Sequence, residues 1–283
     1  IMKQCSMLWV LAVALYCVNM AGNAAAHPTV TVGASVPVAQ RIPVEQINHT
    51  AWNELLRKYV DANGLIDYKS WQASSEDSQL LDAYLTHLSA AAIDGKANRK
   101  SQLAFWINAY NAVTVKGILR EYPTTSIRNH TAKVYGYNIW KDLQLTVGGQ
   151  AYSLDAIEHQ VLRKMGEPRI HFAIVCASIG CPRLLNEAYL PERLDEQLTA
   201  NACAFFADST KFGVDMRTGV VQVSPILKWF AEDFGIDTAA QLTTISPYLP
   251  ANARPLAESG RARVTYLDYD WGLNDKRAPA RRR

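Results

Sequence analysis

The chain has 283 residues, 49% of them hydrophobic and 19% charged, with a formal net charge of +3. That is enough for one large domain or two intimate ones around a buried core. Without Lys3 and the five basic residues of Lys276 to Arg283, 23 basic residues stand against 26 acidic ones, so the body carries −3 and its charge excludes a nucleic-acid binder.

The first 26 residues read as an export signal. Lys3 supplies a positive start, Met7 to Val18 is mostly apolar, and Ala24-Ala25-Ala26 offers an A-x-A cleavage site before His27. The apolar run is too short to span a membrane convincingly. A periplasmic or secreted mature chain of residues 27–283 is expected, with no transmembrane span. Cys176, Cys181 and Cys203 remain after cleavage. Three cysteines in an oxidising compartment leave at least one thiol unpaired, unless it pairs between chains. Cys203, in an apolar-rich segment, reads as a small buried hydrophobe.

Residues 27–49 read as an extended lead-in, and residues 50–274 as a single domain. A helix is predicted from Thr50 to Ala62, ended by Asn63-Gly64. A second covers Leu80 to Ala92. Ser101 to Tyr122 is apolar nearly all round and predicts a buried central helix. Asn108 and Asn111 share one of its faces. Two buried amides need partners: they either tie down backbone in neighbouring loops or line a site, orienting an imidazole or donating to an oxyanion.

Lys133 to Val147 carries Trp140 and predicts a hairpin closed by Gly148-Gly149. Ser153 caps a helix from Leu154 to Met165. Glu158 lies on that helix's apolar face, so its carboxylate needs a cation or a histidine, or has a raised pKa; Arg163 and His171 are the nearest candidates in sequence. Further helices are expected at Pro191 to Phe206 and from Ser224-Pro225 to Phe234, and strands at Gly219 to Val223 and Val264 to Trp271. Residues 275–283 read as a basic disordered tail. Helices outnumber strands and no βαβ regularity appears, which predicts an α+β fold in which the central helix packs on a small, mainly antiparallel sheet.

The segment H-F-A-I-V-C-A-S-I-G-C-P-R-L, His171 to Leu184, concentrates the chemistry. An apolar strand is predicted between His171 and Cys176. Pro182 suits the first turn of a helix, which would place Cys181 near an N-terminus that favours a thiolate.

Together with A-F-W-I-N-A-Y-N-A (Ala104 to Ala112) and S-L-D-A-I-E-H-Q-V-L-R (Ser153 to Arg163), this segment resembles domain of unknown function 547 (DUF 547). S-P-I-L-K-W-F-A-E-D-F (Ser224 to Phe234) and Y-D-W-G-L-N (Tyr269 to Asn274) fit the same family. The resemblance brings no established activity. It singles out Asn108, Asn111, Glu158, Arg163, His171, Cys176 and Cys181. A looser similarity links the chain to the papain and transglutaminase-like group, where the nucleophilic cysteine opens the buried helix. Here that helix has Trp106 but asparagines in place of a thiol.

Three readings stay open. In the first, an acyl or amide hydrolase or transferase uses Cys181 as nucleophile, His171 as base and Glu158 as orienting carboxylate, with Asn108 or Asn111 donating to the oxyanion. In the second, a Cys176–Cys181 disulfide stabilises a non-catalytic domain that binds a ligand or partner in the cell envelope. The third is a metal site from His171, Cys176 and Cys181, which needs a fourth ligand. No cofactor is expected.

Overall fold

The computed structural model describes residues 29–132 and 136–277. The signal expected at residues 1–26, the Lys133 start of the expected hairpin and the tail beyond residue 277 lie outside the described residues.

The central helix, Arg99–Glu121, organises the fold. The Asn98 side chain caps it by accepting from the Ser101 N–H at 3.0 Å. Its residues are buried on every side over most of its length, as the all-round apolar sequence requires. Gly117 lets it lie close to a strand: a Cβ there would come within 2.7 Å of Leu143 and 2.8 Å of Ile139. Helices Tyr68–Ala73 and Ser75–Ser89 pack on it, and Thr50–Tyr59 packs on those two. Their Trp52, Tyr59, Trp71 and Tyr84 rings form a chain of mutual contacts in the core.

Among the described residues the strands form three small sheets. In the first, β1 (Val30–Val32) pairs in parallel with β4 (Leu143–Val147), which pairs antiparallel with β5 (Gln150–Ser153) across the Gly148-Gly149 turn. In the second, β2 (Ile42–Pro43) lies parallel to β3 (Ala91–Ala92). In the third, β6 (Phe212–Asp215) pairs antiparallel with β7 (Val220–Val223), and β7 pairs in parallel with β8 (Arg263–Tyr266). The α+β class is therefore right, but a single mainly antiparallel sheet is not what forms. Three of the five pairings are parallel, because β1, β2 and β8 join from distant parts of the chain.

Regular structure and contacts also continue on both sides of residues 50–274. The lead-in contributes β1 and β2 and buries Val44 and Ile47. At the other end, Lys276 donates its N–H to the Ile66 carbonyl and Arg277 pairs with Asp67, so the basic tail is anchored at its start.

Two hydrophobic clusters result. The larger surrounds the central helix. The smaller joins Phe172, helix Leu194–Ala207, β6, β7 and the C-terminal helices. Ile170 and Ala173 belong to the first and Phe172 to the second, so the segment around His171 runs along the seam between them. The candidate site opens there.

Candidate active site

Cys176 to Cys181 is a tight loop fixed against the chain end. Ile179 and Gly180 donate their N–H groups to the Gly272 and Asp270 carbonyls, each at 2.8 Å, and Asn274 donates to Ala177 at 3.1 Å. Ala177 adopts φ 59°, a left-handed conformation costly for a residue with a Cβ. A Cβ at Gly180 would make tight 3.0 Å contacts with the Tyr269 ring and the Asp270 nitrogen, so the glycine lets the ring pack close to the loop. The Tyr269 hydroxyl lies over both sulfurs, 3.1 Å from Cys181 Sγ and 3.4 Å from Cys176 Sγ.

Two donors point at Cys181 Sγ, the Cys176 N–H at 3.1 Å and the Ser178 hydroxyl at 3.3 Å, and the Tyr269 hydroxyl at 3.1 Å becomes a third when the sulfur is a thiolate and can only accept. Burial pushes this thiol up, but hydrogen bonds from Cys176, Ser178 and Tyr269 outweigh it and lower the Cys181 pKa. Its neighbour moves the other way. The hydrogen bond to Cys181, then burial, holds the Cys176 thiol well above its ordinary value. Cys181 is thus the acidic member of the pair, as expected, but for another reason. No helix starts at Pro182. The hydroxyls and backbone of its own loop take the place of a helix terminus.

Ser153 caps the next element by accepting from the Ala156 N–H at 3.1 Å. A short α-turn (Leu154–Ala156) widens into a π-helical turn, Ile157–Leu162, and tightens again over Arg163–Met165. Such widened turns recur at functional sites, and this one carries Glu158. Tyr110 of the central helix donates to Glu158 Oε2 at 3.1 Å. Burial raises the Glu158 carboxyl to about 7, the Tyr110 hydrogen bond opposes this, and the nearby Cys181 charge adds to it.

His171 does not partner Glu158. It lies in the 3-10 turn Pro168–Phe172, with Nε2 2.7 Å from Asp233 Oδ2 and its ring stacked on Phe230 at 4.1 Å. Burial lowers its pKa to about 4 despite the attraction of Asp233. The contact is therefore a neutral imidazole donating to a carboxylate, with no ion pair at neutral pH. Arg163 grips the same carboxylate through Nε at 2.6 Å and Nη2 at 3.0 Å. Burial pushes Asp233 up, but the Arg163 and His171 bonds prevail and hold it below the ordinary carboxylate range.

A cavity of about 260 Å³ brings Cys176, Cys181, Glu158, Tyr110 and His171 to one surface. Its walls are aromatic. Trp229 and Trp271 stack at 5.7 Å, Tyr269 packs on both, and Trp140 meets Trp271 edge-on. The rim is polar, with Asn138, Lys141, Asp155 and His159.

Several expectations need correction. Asn108 exchanges two hydrogen bonds with the Tyr189 backbone, at 2.8 and 2.9 Å, and Asn111 bonds the Ala173 carbonyl and the Val175 N–H at 3.0 and 2.9 Å. Both amides tie down backbone, leaving neither aimed as an oxyanion donor. Phe172 to Val175 forms no strand because its backbone groups are taken otherwise: Asn201 donates to the Phe172 carbonyl, the Ala173 and Ile174 N–H groups donate to the Ile170 carbonyl, and Asn111 bonds Ala173 and Val175. Glu158 and Arg163 are not a pair, because Arg163 is engaged by Asp233. Cys176, Cys181 and Cys203 are all free thiols, so no structural bridge closes the loop, and Cys203 is half-buried. No three His, Cys, Asp or Glu side chains among the described residues are arranged to hold a metal ion. Sequence reasoning missed Asp233, Ser178 and Tyr269. All three sit inside the quoted motifs, so the signal was present but not attached to a role.

These features define an α+β domain with a paired-thiol cleft at the seam of two cores. Residues 95–206 match the model of the family described as Protein of unknown function, DUF547, which supports the resemblance carried by the motifs. The matched segment holds Tyr110, Glu158, His171 and both loop cysteines, while Asp233 and Tyr269 lie beyond it. No curated protein and no solved structure matches the chain. No helix among the described residues is long and apolar enough to cross a membrane.

Proposed function

We propose that this protein is an exported cysteine-dependent hydrolase or transferase of acyl or amide groups, with Cys181 as nucleophile. One observation carries the reading: three hydrogen-bonding groups converge on the Cys181 sulfur in a cavity that also holds a carboxyl titrating near neutrality. Such a sulfur is a thiolate at working pH, and thiolates attack carbonyls.

The residues divide the remaining work. As Cys181 attacks, the protonated Glu158 gives its proton to the departing alcohol or amine, leaving a thioester on the enzyme. The Glu158 carboxylate then takes a proton from water or an acceptor as its oxygen or nitrogen attacks the thioester carbonyl; the C–S bond breaks, the acyl group leaves on the new bond, and the thiolate is restored. An acid–base group near pH 7 suits both halves. His171, Asp233 and Arg163 act as positioning residues that lock the 3-10 turn and the C-terminal helices around the cleft. Likeness to the papain and transglutaminase-like group is confined to the chemistry. The nucleophile sits on a loop, and the buried helix contributes Tyr110. Export rests on the sequence of residues 1–26, and N-terminal sequencing of the native protein tests it: a mature chain beginning at His27 is expected, and one retaining Met2 to Ala26 would refute export.

The activity is tested with a panel of p-nitrophenyl esters and anilides followed by mass spectrometry of the intact protein. A burst of nitrophenolate with one acyl group on Cys181 is the expected result. Absence of any adduct across the panel, in protein whose Cys181 still reacts with iodoacetamide, would overturn the acyl-transfer reading.

A further inference from the structure

Acyl transfer uses one thiol, yet the site holds two. Cys176 and Cys181 contact the same two hydroxyls: Ser178 Oγ lies 3.2 and 3.3 Å from the two sulfurs, and Tyr269 Oη 3.4 and 3.1 Å. Both thiols are free and line one cavity. The loop between them is anchored by backbone bonds from residues 177, 179 and 180 to the 270–274 segment, so their proximity is built in.

We propose that Cys181 and Cys176 form a hydroperoxide-reactive pair, Cys181 as the attacking thiol and Cys176 as the resolving one. The inference shares the activated Cys181 with the proposed acyl chemistry but needs no acyl substrate. In the first step the Cys181 thiolate attacks the distal oxygen of a hydroperoxide and the O–O bond breaks. Cys181 becomes a sulfenic acid, and the other oxygen leaves as water or an alcohol after taking a proton. In the second step the Cys176 thiol attacks the Cys181 sulfur, the S–O bond breaks, and water leaves as the disulfide forms. Two electrons pass from the thiol pair to the peroxide, and an external dithiol returns them by exchange. The division of labour follows from the asymmetry of the loop. Backbone and hydroxyl donors converge on Cys181, whereas Cys176 keeps its proton and stands ready as the second thiol. The Tyr269 and Ser178 hydroxyls, within reach of the reacting sulfur, can donate to the departing oxygen.

The test treats the reduced protein with stoichiometric hydrogen peroxide, or with tert-butyl hydroperoxide, and maps peptides without reductant. A Cys176–Cys181 cross-link that dithiothreitol reverses is expected. In Cys176→Ser a dimedone adduct should accumulate on Cys181, and Cys181→Ser should show neither cross-link nor adduct. Wild-type protein whose Cys181 stays reduced after peroxide overturns the proposal, as does dimedone labelling at Cys203 alone. Iodoacetamide labelling of Cys181 and the ester panel are read in parallel. A thiol that takes an acyl group but ignores peroxide sinks only this inference, and a thiol that is oxidised but never acylated sinks only the acyl-transfer reading.

Discussion

Glu158→Gln separates stability from function at this site. The wild-type carboxyl titrates near 4.5 when unfolded and at about 7 when folded, chiefly through burial. Because the folded state binds this proton more tightly, the carboxyl's stabilising contribution is complete below about pH 4.5. It is lost as pH rises through 7, at about 1.4 kcal/mol per pH unit across that window. By pH 8 the ionised group costs the native state about 3 kcal/mol, and at pH 5 less than about 1 kcal/mol. Glutamine keeps the shape and can still accept from the Tyr110 hydroxyl, but it never ionises. The variant should therefore match wild type within about 1 kcal/mol at pH 5 and exceed it by about 3 kcal/mol at pH 8. Urea denaturation at both pH values measures this. If Glu158 is the proton carrier, turnover should fall sharply in the same stabilised protein, as expected where a site holds a group against its preference. Equal destabilisation at both pH values would refute the reasoning, since it would mean that Glu158 is ionised and paired in the native state.

Tyr269→Phe removes one donor from Cys181 Sγ. It should move the pH–rate curve for iodoacetamide to higher pH and slow alkylation about fivefold on the acid side of the curve, where the thiolate is the minor form, corresponding to a hydrogen bond of about 1 kcal/mol; an unchanged curve would rule out the donor role. Asp233→Asn breaks the two-point Arg163 contact, whose side chains are each 20% exposed, and should cost about 2–3 kcal/mol in chemical denaturation. His171 is neutral when folded, with a pKa of about 4 against 6.5 unfolded, so its contribution is complete above about pH 6.5 and lost as pH falls toward 4. His171→Gln should flatten the stability profile over that window, and an unchanged slope would count against a buried neutral imidazole. Asn111→Ala strands the Ala173 carbonyl and the Val175 N–H and should lower stability by about 2–4 kcal/mol, with thermal unfolding as the check.

Local patterns in the sequence carry the helices well. The all-round apolar run of residues 101–122, the Ser153 cap and the Gly148-Gly149 turn each encode structure within a few residues and each forms, but the hairpin at that turn joins only Leu143–Val147 to Gln150–Ser153, and Ile139–Asp142 within the expected Lys133–Val147 span is helical. Pairing across the chain is different. Nothing near Val30 says that it will lie parallel to Leu143, and nothing near Ala173 says that a side chain 62 residues earlier will bond its backbone. The site depends on this second kind of information. Cys181 and Glu158 could be singled out because a thiol in a short loop and a carboxyl on an apolar face are anomalous in place. Asp233 and Tyr269 could not, because an aspartate in a short helix and a tyrosine in a late aromatic run are ordinary until folding brings them 62 residues from His171 and 88 residues from Cys181 into hydrogen-bonding range. The Cys181 acidity makes the same point. A helix terminus supplied by Pro182 would have been a local cause. The donors that lower this thiol include a tyrosine 88 residues away whose ring packs close to Gly180, a cause that exists only in the folded chain.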